Sequence, residues 1–281
     1  MIESTLFLAF LADLFLVYIL LTKASKKESN YSFAFATMSV GFWTLGILFF
    51  RLSPNLKTAL FWNREFIFAS GLIASNFLQF SLVLTGVKMK NFQKVLIHVP
   101  NIFILIGVFM PNILIKGIVV RDWGKESILG NLYILFAIYF STYIIYGLYR
   151  ILRTIPSAKE PWKNQLKYVF WATLLTSIVG TYFNLFLILI GNYKYVWVGP
   201  YNSLILAAVV TYAVAKEHLF DIDLATHYIF TWACSVITAA GIFLVSYFLI
   251  KAFPTGIFLQ VSLLTFSSVL GAAYFPKYFA A

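Results

Sequence analysis

Charged residues are scarce in this sequence: they make up 11% of its 281 residues, against about 25% in a soluble domain. With a mean hydropathy of +0.87, the chain cannot cover a water-facing surface with charge. That excludes a soluble enzyme or binding domain and requires lipid as solvent. Cysteine is nearly absent. The one present, Cys234, lies in an apolar run, so no intramolecular disulfide forms and no cysteine-based metal site can be built. The chain lacks a P-loop, an HExxH helix, a GxSxG elbow and an EF-hand loop, which removes the common local signatures of an enzyme and leaves no implied metal or cofactor. The first apolar run follows acidic Glu3, without a basic n-region or a small-residue cleavage site, and so reads as a retained anchor rather than a signal peptide. Repeats and low-complexity linkers are missing too, so residues 1–281 read as one domain.

What the sequence does contain is apolar runs longer than a globular core needs. A bilayer crossing takes about 20 mostly apolar residues, and the runs, read against turn and charge clusters, give about nine spans. They are roughly Thr5–Thr22, Tyr31–Phe50, Phe66–Gly86, Val95–Ile115, Ile128–Tyr149, Tyr168–Ile190, Tyr201–Ala215, Tyr228–Ile250 and Ile257–Phe275. The expected fold class is all-α, a polytopic helical bundle in the membrane. Ser53-Pro54-Asn55, Ile155-Pro156-Ser157 and Gly199-Pro200 fall where a helix should stop or restart. Tyr193, Tyr195 and Trp197, and Trp123, read as interfacial anchors.

The net charge of +11 is carried by short basic clusters between the spans, which points to membrane lipid headgroups rather than nucleic acid as partners. One set of alternate loops holds Lys23, Lys26, Lys27, Lys88, Lys90, Lys94, Arg150, Arg153, Lys159, Lys163, Lys167 and Lys216, with Lys277 at the end. The other holds Arg51, Lys57, Arg64, Lys116, Arg121, Lys125, Lys194 and Lys251. The bias places the first set in the cytoplasm, hence the N-terminus outside and, after an odd number of spans, the C-terminus cytoplasmic. The longest outer connections, Ser53 to Glu65 and Lys116 to Glu126, are about a dozen residues each, too short for an independent fold. A ligand must therefore be recognised among the helices.

The seventh span runs into Thr211-Tyr-Ala-Val-Ala-Lys-Glu-His-Leu-Phe-Asp-Ile-Asp223. This segment, with Trp197-Val-Gly-Pro200, Phe42-Trp43, Phe61-Trp62 and Phe80-Ser-Leu-Val-Leu-Thr-Gly86, resembles the seven-helix sensor regions found in front of bacterial histidine kinases. Nine spans with this orientation are also similar to the membrane half of kinases that receive acyl-homoserine-lactone autoinducers in quorum sensing. The resemblance implies a sensor in the bacterial inner membrane that passes a signal to a cytoplasmic output domain. No phosphoacceptor or ATP-binding sequence occurs in these residues, so the chain is expected to sense and not to phosphorylate; its stop soon after Phe275-Pro276-Lys277 gives the expectation that the output domain continues beyond it. The Leu219–Asp223 turn, with His218, Asp221 and Asp223, is the candidate relay. The plainer alternative is a helix cap in which Asp221 or Asp223 accepts amide hydrogen bonds.

Intramembrane ionisable groups are few: Asp13, His98 and, at the mouth of the third span, Glu65. A transporter or channel, the leading alternative, is expected to show more of them at mid-depth and paired broken helices. An intramembrane enzyme would need a clustered nucleophile, acid or metal site. Uncharged polar residues are more informative. Glu65, Ala69, Leu72, Asn76 and Gln79 share one face of the third span, and Thr173, Ser177, Gly180 and Asn184 share one face of the sixth. With Asn131, Tyr139, Trp197 and Asn202 they make a candidate binding site for a small lipophilic or amphiphilic molecule, with Trp43, Tyr143 and Tyr182 supplying aromatic walls. The plain alternative is interhelical hydrogen bonding worth about 0.6 kcal/mol each. Burying a tail would gain about 0.8 kcal/mol per methylene, so the tail is expected to dominate affinity and the polar groups specificity. Gly71 and Ser75, four apart, suit close packing of the third span on a neighbouring helix, or a homodimer contact.

Overall fold

The computed structural model describes residues 2–22 and 27–203. In chain order these form α1 (Ile2–Thr22), α2 (Glu28–Leu52), α3 (Leu56–Leu84), α4 (Asn91–Phe109), β1 (Ile115–Arg121), β2 (Gly124–Leu129), α5 (Tyr133–Thr154) and α6 (Trp162–Leu189). Helical backbone resumes at 198–203, the start of the seventh expected span. The six helices are each long and apolar enough to cross a membrane. The eighth and ninth expected spans lie outside the described residues, as do His218, Asp221, Asp223, His227 and Cys234.

Turn chemistry fixes the helix ends. Asn55 caps α3, its Oδ1 accepting from the Thr58 amide at 2.9 Å, while the Ser53 hydroxyl closes α2 by donating to the Phe49 carbonyl at 2.6 Å. α3 ends at Gly86, which takes φ 77°. The amides of Gly86 and Val87 there satisfy the carbonyls of Val83 and Leu82, a closure that needs a left-handed residue. The same closure recurs at Gly191 (φ 81°), where the Gly191 and Asn192 amides reach Ile188 and Leu187.

Two boundaries differ from the hydropathy reading. α3 begins at Leu56, not Phe66, and the residues between were read as a loop because Lys57, Arg64 and Glu65 interrupt the apolar run. Hydropathy marks where a helix enters lipid, whereas its hydrogen-bond ladder continues beyond. The runs ending at Ile115 and starting at Ile128 stop short as helices. Residues 115–129 form an antiparallel hairpin, Val119 opposite Glu126 and Arg121 opposite Gly124, closed by Asp122 and Trp123. Its β-branched Ile118, Val119 and Val120 suit a strand better than a helix end.

The hairpin sits at one end of the bundle, with the start of α1, the end of α2 and the start of α3. Lys125 Nζ donates to the carbonyls of Arg51 (2.9 Å) and Ser53 (2.7 Å) and thereby caps α2; burial and the neighbouring Arg51 guanidinium hold this amine below the usual lysine range. Asn63 of α3 donates to Ser127, and Arg51 pairs with Glu3 of α1 at 3.0 Å. At the opposite end Lys94 of α4 pairs with Glu28 of α2.

α3 is the central helix, packing on α2, α4, α5 and β1. Lipid tails are as apolar as leucine, so contact in the bilayer rests on close fit, and small residues supply it. A Cβ on Gly147 of α5 would stand 2.7 Å from Phe77 Cε1 and 2.8 Å from Ser81 Oγ of α3. A Cβ on Gly71 would stand 2.8 Å from Ile104 of α4. The Gly71 and Ser75 face is thus covered by α4 of the same chain. One apolar cluster, including Ile47, Phe50, Phe66 and Phe136, fills the hairpin end; another, including Leu20, Phe80, Ile151 and Leu166, fills the opposite end.

Candidate functional site

Between the two clusters lies a partly open cavity of about 150 Å³, narrower than the site of a typical drug-sized ligand. Its wall on α3 is Phe66, Ile67, Ser70, Ile73, Phe77 and Phe80, a stripe at helical spacing that runs about 21 Å along the axis. α2 contributes Phe33, Thr37, Val40 and Trp43; α5 contributes Tyr133, Phe136 and Phe140. From α6 come Thr173, Ser177, Gly180 and Asn184, and from the start of the seventh span Asn202 and Ser203. No Asp, Glu, Lys or Arg is among the described lining residues.

Four of the eight hydroxyls of the described wall donate to carbonyls of their own helices. Thr37 donates to the Phe33 carbonyl (3.0 Å), Ser70 to Ile67 (2.8 Å), Thr176 to Ala172 (2.9 Å) and Ser203 to Pro200 (2.8 Å). Two carboxamides are different. Asn184 Nδ2 donates to the Val196 carbonyl at 2.6 Å, while its Oδ1 is buried without a hydrogen-bond partner among the described residues. Asn202 Nδ2 is likewise buried and unpartnered among them. A buried polar atom of this kind costs about 1–3 kcal/mol, so the pair offers one acceptor and one donor to a molecule entering the cavity. Asn184 stands in a π-helical turn, Tyr182–Phe186, a distortion frequent at functional sites. Gly199 lies against it: a Cβ there would overlap the Asn184 carboxamide and stand 2.7 Å from Trp43 Cη2.

Of the residues expected to bind a ligand, the structure brings Asn184 and Asn202 to the cavity, together with Trp43 and the Thr173, Ser177, Gly180 stripe. Six others stand elsewhere. Asn76 Nδ2 donates to Ser39 of α2 at 2.8 Å. Gln79 Oε1 accepts from His98 Nε2 of α4 at 2.7 Å. The Tyr139 hydroxyl reaches the Gly71 carbonyl at 3.0 Å and Asn101 Oδ1 at 3.2 Å. Glu65 lies against Gly46 of α2, Asn131 is exposed in the turn before α5, and Trp197 Nε1 donates to the Lys194 carbonyl at 3.0 Å. A helical wheel shows that Glu65, Asn76 and Gln79 share a face but not which neighbour that face meets; it meets α2 and α4. The cavity face of α3 is the adjacent one, and its signal in the sequence was the aromatic spacing of Phe66, Phe77 and Phe80.

The displaced polar residues form a network of their own. His98 Nδ1 faces the Ser75 hydroxyl at 3.0 Å, and Asn101 Nδ2 donates to the same oxygen at 2.8 Å. Tyr143 donates to the Ile97 carbonyl at 3.3 Å, beside Pro100. The network ties α4 to α3 and α5. Asp13 of α1 is 2% exposed, and its Oδ2 is buried without a hydrogen-bond partner among the described residues. In the connection after α6, burial raises the Tyr193 hydroxyl above the usual tyrosine range.

Residues 5–223 match a family model, the N-terminal 7TM region of histidine kinase. The chain belongs to this family. The match ends at Asp223, the last residue of the Leu219–Asp223 segment, and takes in the six described spans from Thr5 onward and the helical residues 198–203. The 7TM region is a multi-pass membrane region and is not itself catalytic. Neither a curated protein nor a solved structure matches the chain.

Proposed function

We propose that this 7TM region is the sensory domain of a bacterial inner-membrane histidine kinase and that it binds a small uncharged amphiphile in the cavity among α2, α3, α5, α6 and the seventh span. The observation that carries the reading is the buried pair of Asn184 Oδ1 and Asn202 Nδ2 in a wall whose described residues carry no formal charge. A secondary amide, with one N–H and one carbonyl, complements that pair. A signal of this chemistry released by neighbouring cells would make the receptor a quorum sensor. Coupling follows from where the pair stands: Asn184 already holds the Val196 carbonyl next to the start of the seventh span, and that span leads to His218, Asp221 and Asp223. A ligand that binds more tightly when α6 and the seventh span are clasped shifts the population towards that state.

The test is binding of N-methyldecanamide to the full chain in lipid nanodiscs, read by tryptophan fluorescence, with Trp43→Phe assigning the signal to the cavity. Asn202→Leu removes an unpartnered donor and Asn184→Leu an unpartnered acceptor. Each is expected to weaken binding about 2- to 10-fold, the worth of one hydrogen bond. Equal binding by both variants, or by decane, would overturn polar recognition; substrate flux across proteoliposomes would favour a transporter instead.

A further inference from the structure

The cavity has a closed end as well as a polar one. Trp43 and Asn184 meet at Gly199 towards the hairpin end, and α2 runs from Trp43 to Phe33 over about 15 Å. There the lining finishes on Phe33 and Phe80, which are 5% and 1% exposed with ring centroids 4.9 Å apart. Both rings belong to an apolar cluster that also holds Leu20, Ile151 and Leu166, each at most 1% exposed and none lining the cavity. The floor is therefore backed by packed core and cannot yield without disturbing it.

We infer that the Phe33–Phe80 pair is a gauge that sets the longest tail the cavity admits. The inference rests on the amphiphile reading above. A ligand that arrives from the bilayer leaves tails as apolar as the cavity wall, so each added methylene changes its lipid-referenced affinity little until the chain meets the floor. Beyond that point the ring pair must be forced into filled core, which lowers affinity about tenfold or more. Selectivity for length is then a step, not a slope. Of the hydroxyls between head and floor, Thr37, Ser70 and Thr176 already donate to their own helices.

The experiment is a homologous series of N-methyl alkanamides at fixed mole fraction in nanodiscs containing the full chain. Wild type is expected to bind short and intermediate members about equally and to lose the first excluded member by tenfold or more. Phe80→Leu should move the step to a chain longer by one methylene or more. Gly180→Leu probes the opposite sense: Gly180 lines the cavity on the Thr173–Asn184 face, and a Cβ there meets nothing within 4 Å. Its leucine should move the step to shorter chains, and it decides the question if Phe80→Leu does not fold. A wild-type step that stays in place in the variants, or a smooth slope without a step, overturns the gauge while leaving the cavity as the binding site. Binding of no member by wild type overturns the gauge and the amphiphile site together.

Discussion

Replacing Asn101 by leucine tests whether hydrogen bonds, rather than apolar packing, hold α4 in the bundle. α4 needs such an anchor: large side chains such as Phe92, Phe103 and Phe109 are more than half exposed to the surrounding lipid, and lipid offers them as good a contact as protein does. Asn101 is 5% exposed, donates to Ser75 Oγ and accepts from the Tyr139 hydroxyl. Leucine has nearly the same size, so no cavity opens. After the change Tyr139 keeps the Gly71 carbonyl and Ser75 keeps the Leu72 carbonyl and His98, so no donor is orphaned. Two interhelical bonds at about 0.6 kcal/mol each then give a loss of about 1.2 kcal/mol, roughly sevenfold in the unfolding equilibrium. Equilibrium unfolding in mixed micelles measures it, and a double-mutant cycle with Tyr139→Phe should return a coupling of about 0.6 kcal/mol. Zero coupling with unchanged stability would show that packing alone seats α4, and the network would then be incidental.

Gly199→Ala should disturb the cavity by contact rather than by polarity, because its Cβ overlaps the Asn184 carboxamide and crowds Trp43; a changed Trp43 fluorescence with intact folding is the expected outcome, and an unaltered spectrum would contradict the geometry. Orientation is tested by single cysteines at Asp122 and Ser157, both exposed and at opposite ends of the bundle, in a background lacking Cys234. An impermeant thiol reagent outside the cell should label the first and not the second, as a cysteine at Ser25 should also resist it. Labelling of Ser157→Cys from outside would reverse the orientation.

The spans were legible because lipid imposes a simple rule, that backbone crossing the hydrocarbon must be helical and its side chains mostly apolar. The rule speaks only within the hydrocarbon. It therefore missed the first turns of α3, where Lys57, Arg64 and Glu65 continue the helix outside that layer, and it absorbed the hairpin strands into their apolar neighbours. The α6 stripe of Thr173, Ser177, Gly180 and Asn184 lines the cavity in the structure. The α3 stripe stands elsewhere, and the sequence does not tell the two apart, because Asn76 and Gln79 look the same whether their partner is a ligand or Ser39 and His98. The family likeness was legible in Leu219–Asp223 and in the aromatic pieces, of which Trp43 and the Gly199 of Trp197–Pro200 meet at Asn184.

The unequal lengths of α3 and α4 carry a mechanical consequence. At 1.5 Å per residue the 29 residues of α3 span about 43 Å, whereas the 19 of α4 span about 28 Å, slightly less than the ~30 Å of an average hydrocarbon core. α3 has length to spare and α4 has none. In a thicker bilayer α4 must stand more upright or draw the lipid thinner around it, at fractions of a kcal/mol per Å. That load falls on the hydrogen bonds joining it to α3 and on the hairpin that follows it, which is bolted to the end of α2 through Lys125. Membrane thickness thus enters the bundle at the shortest of its described spans.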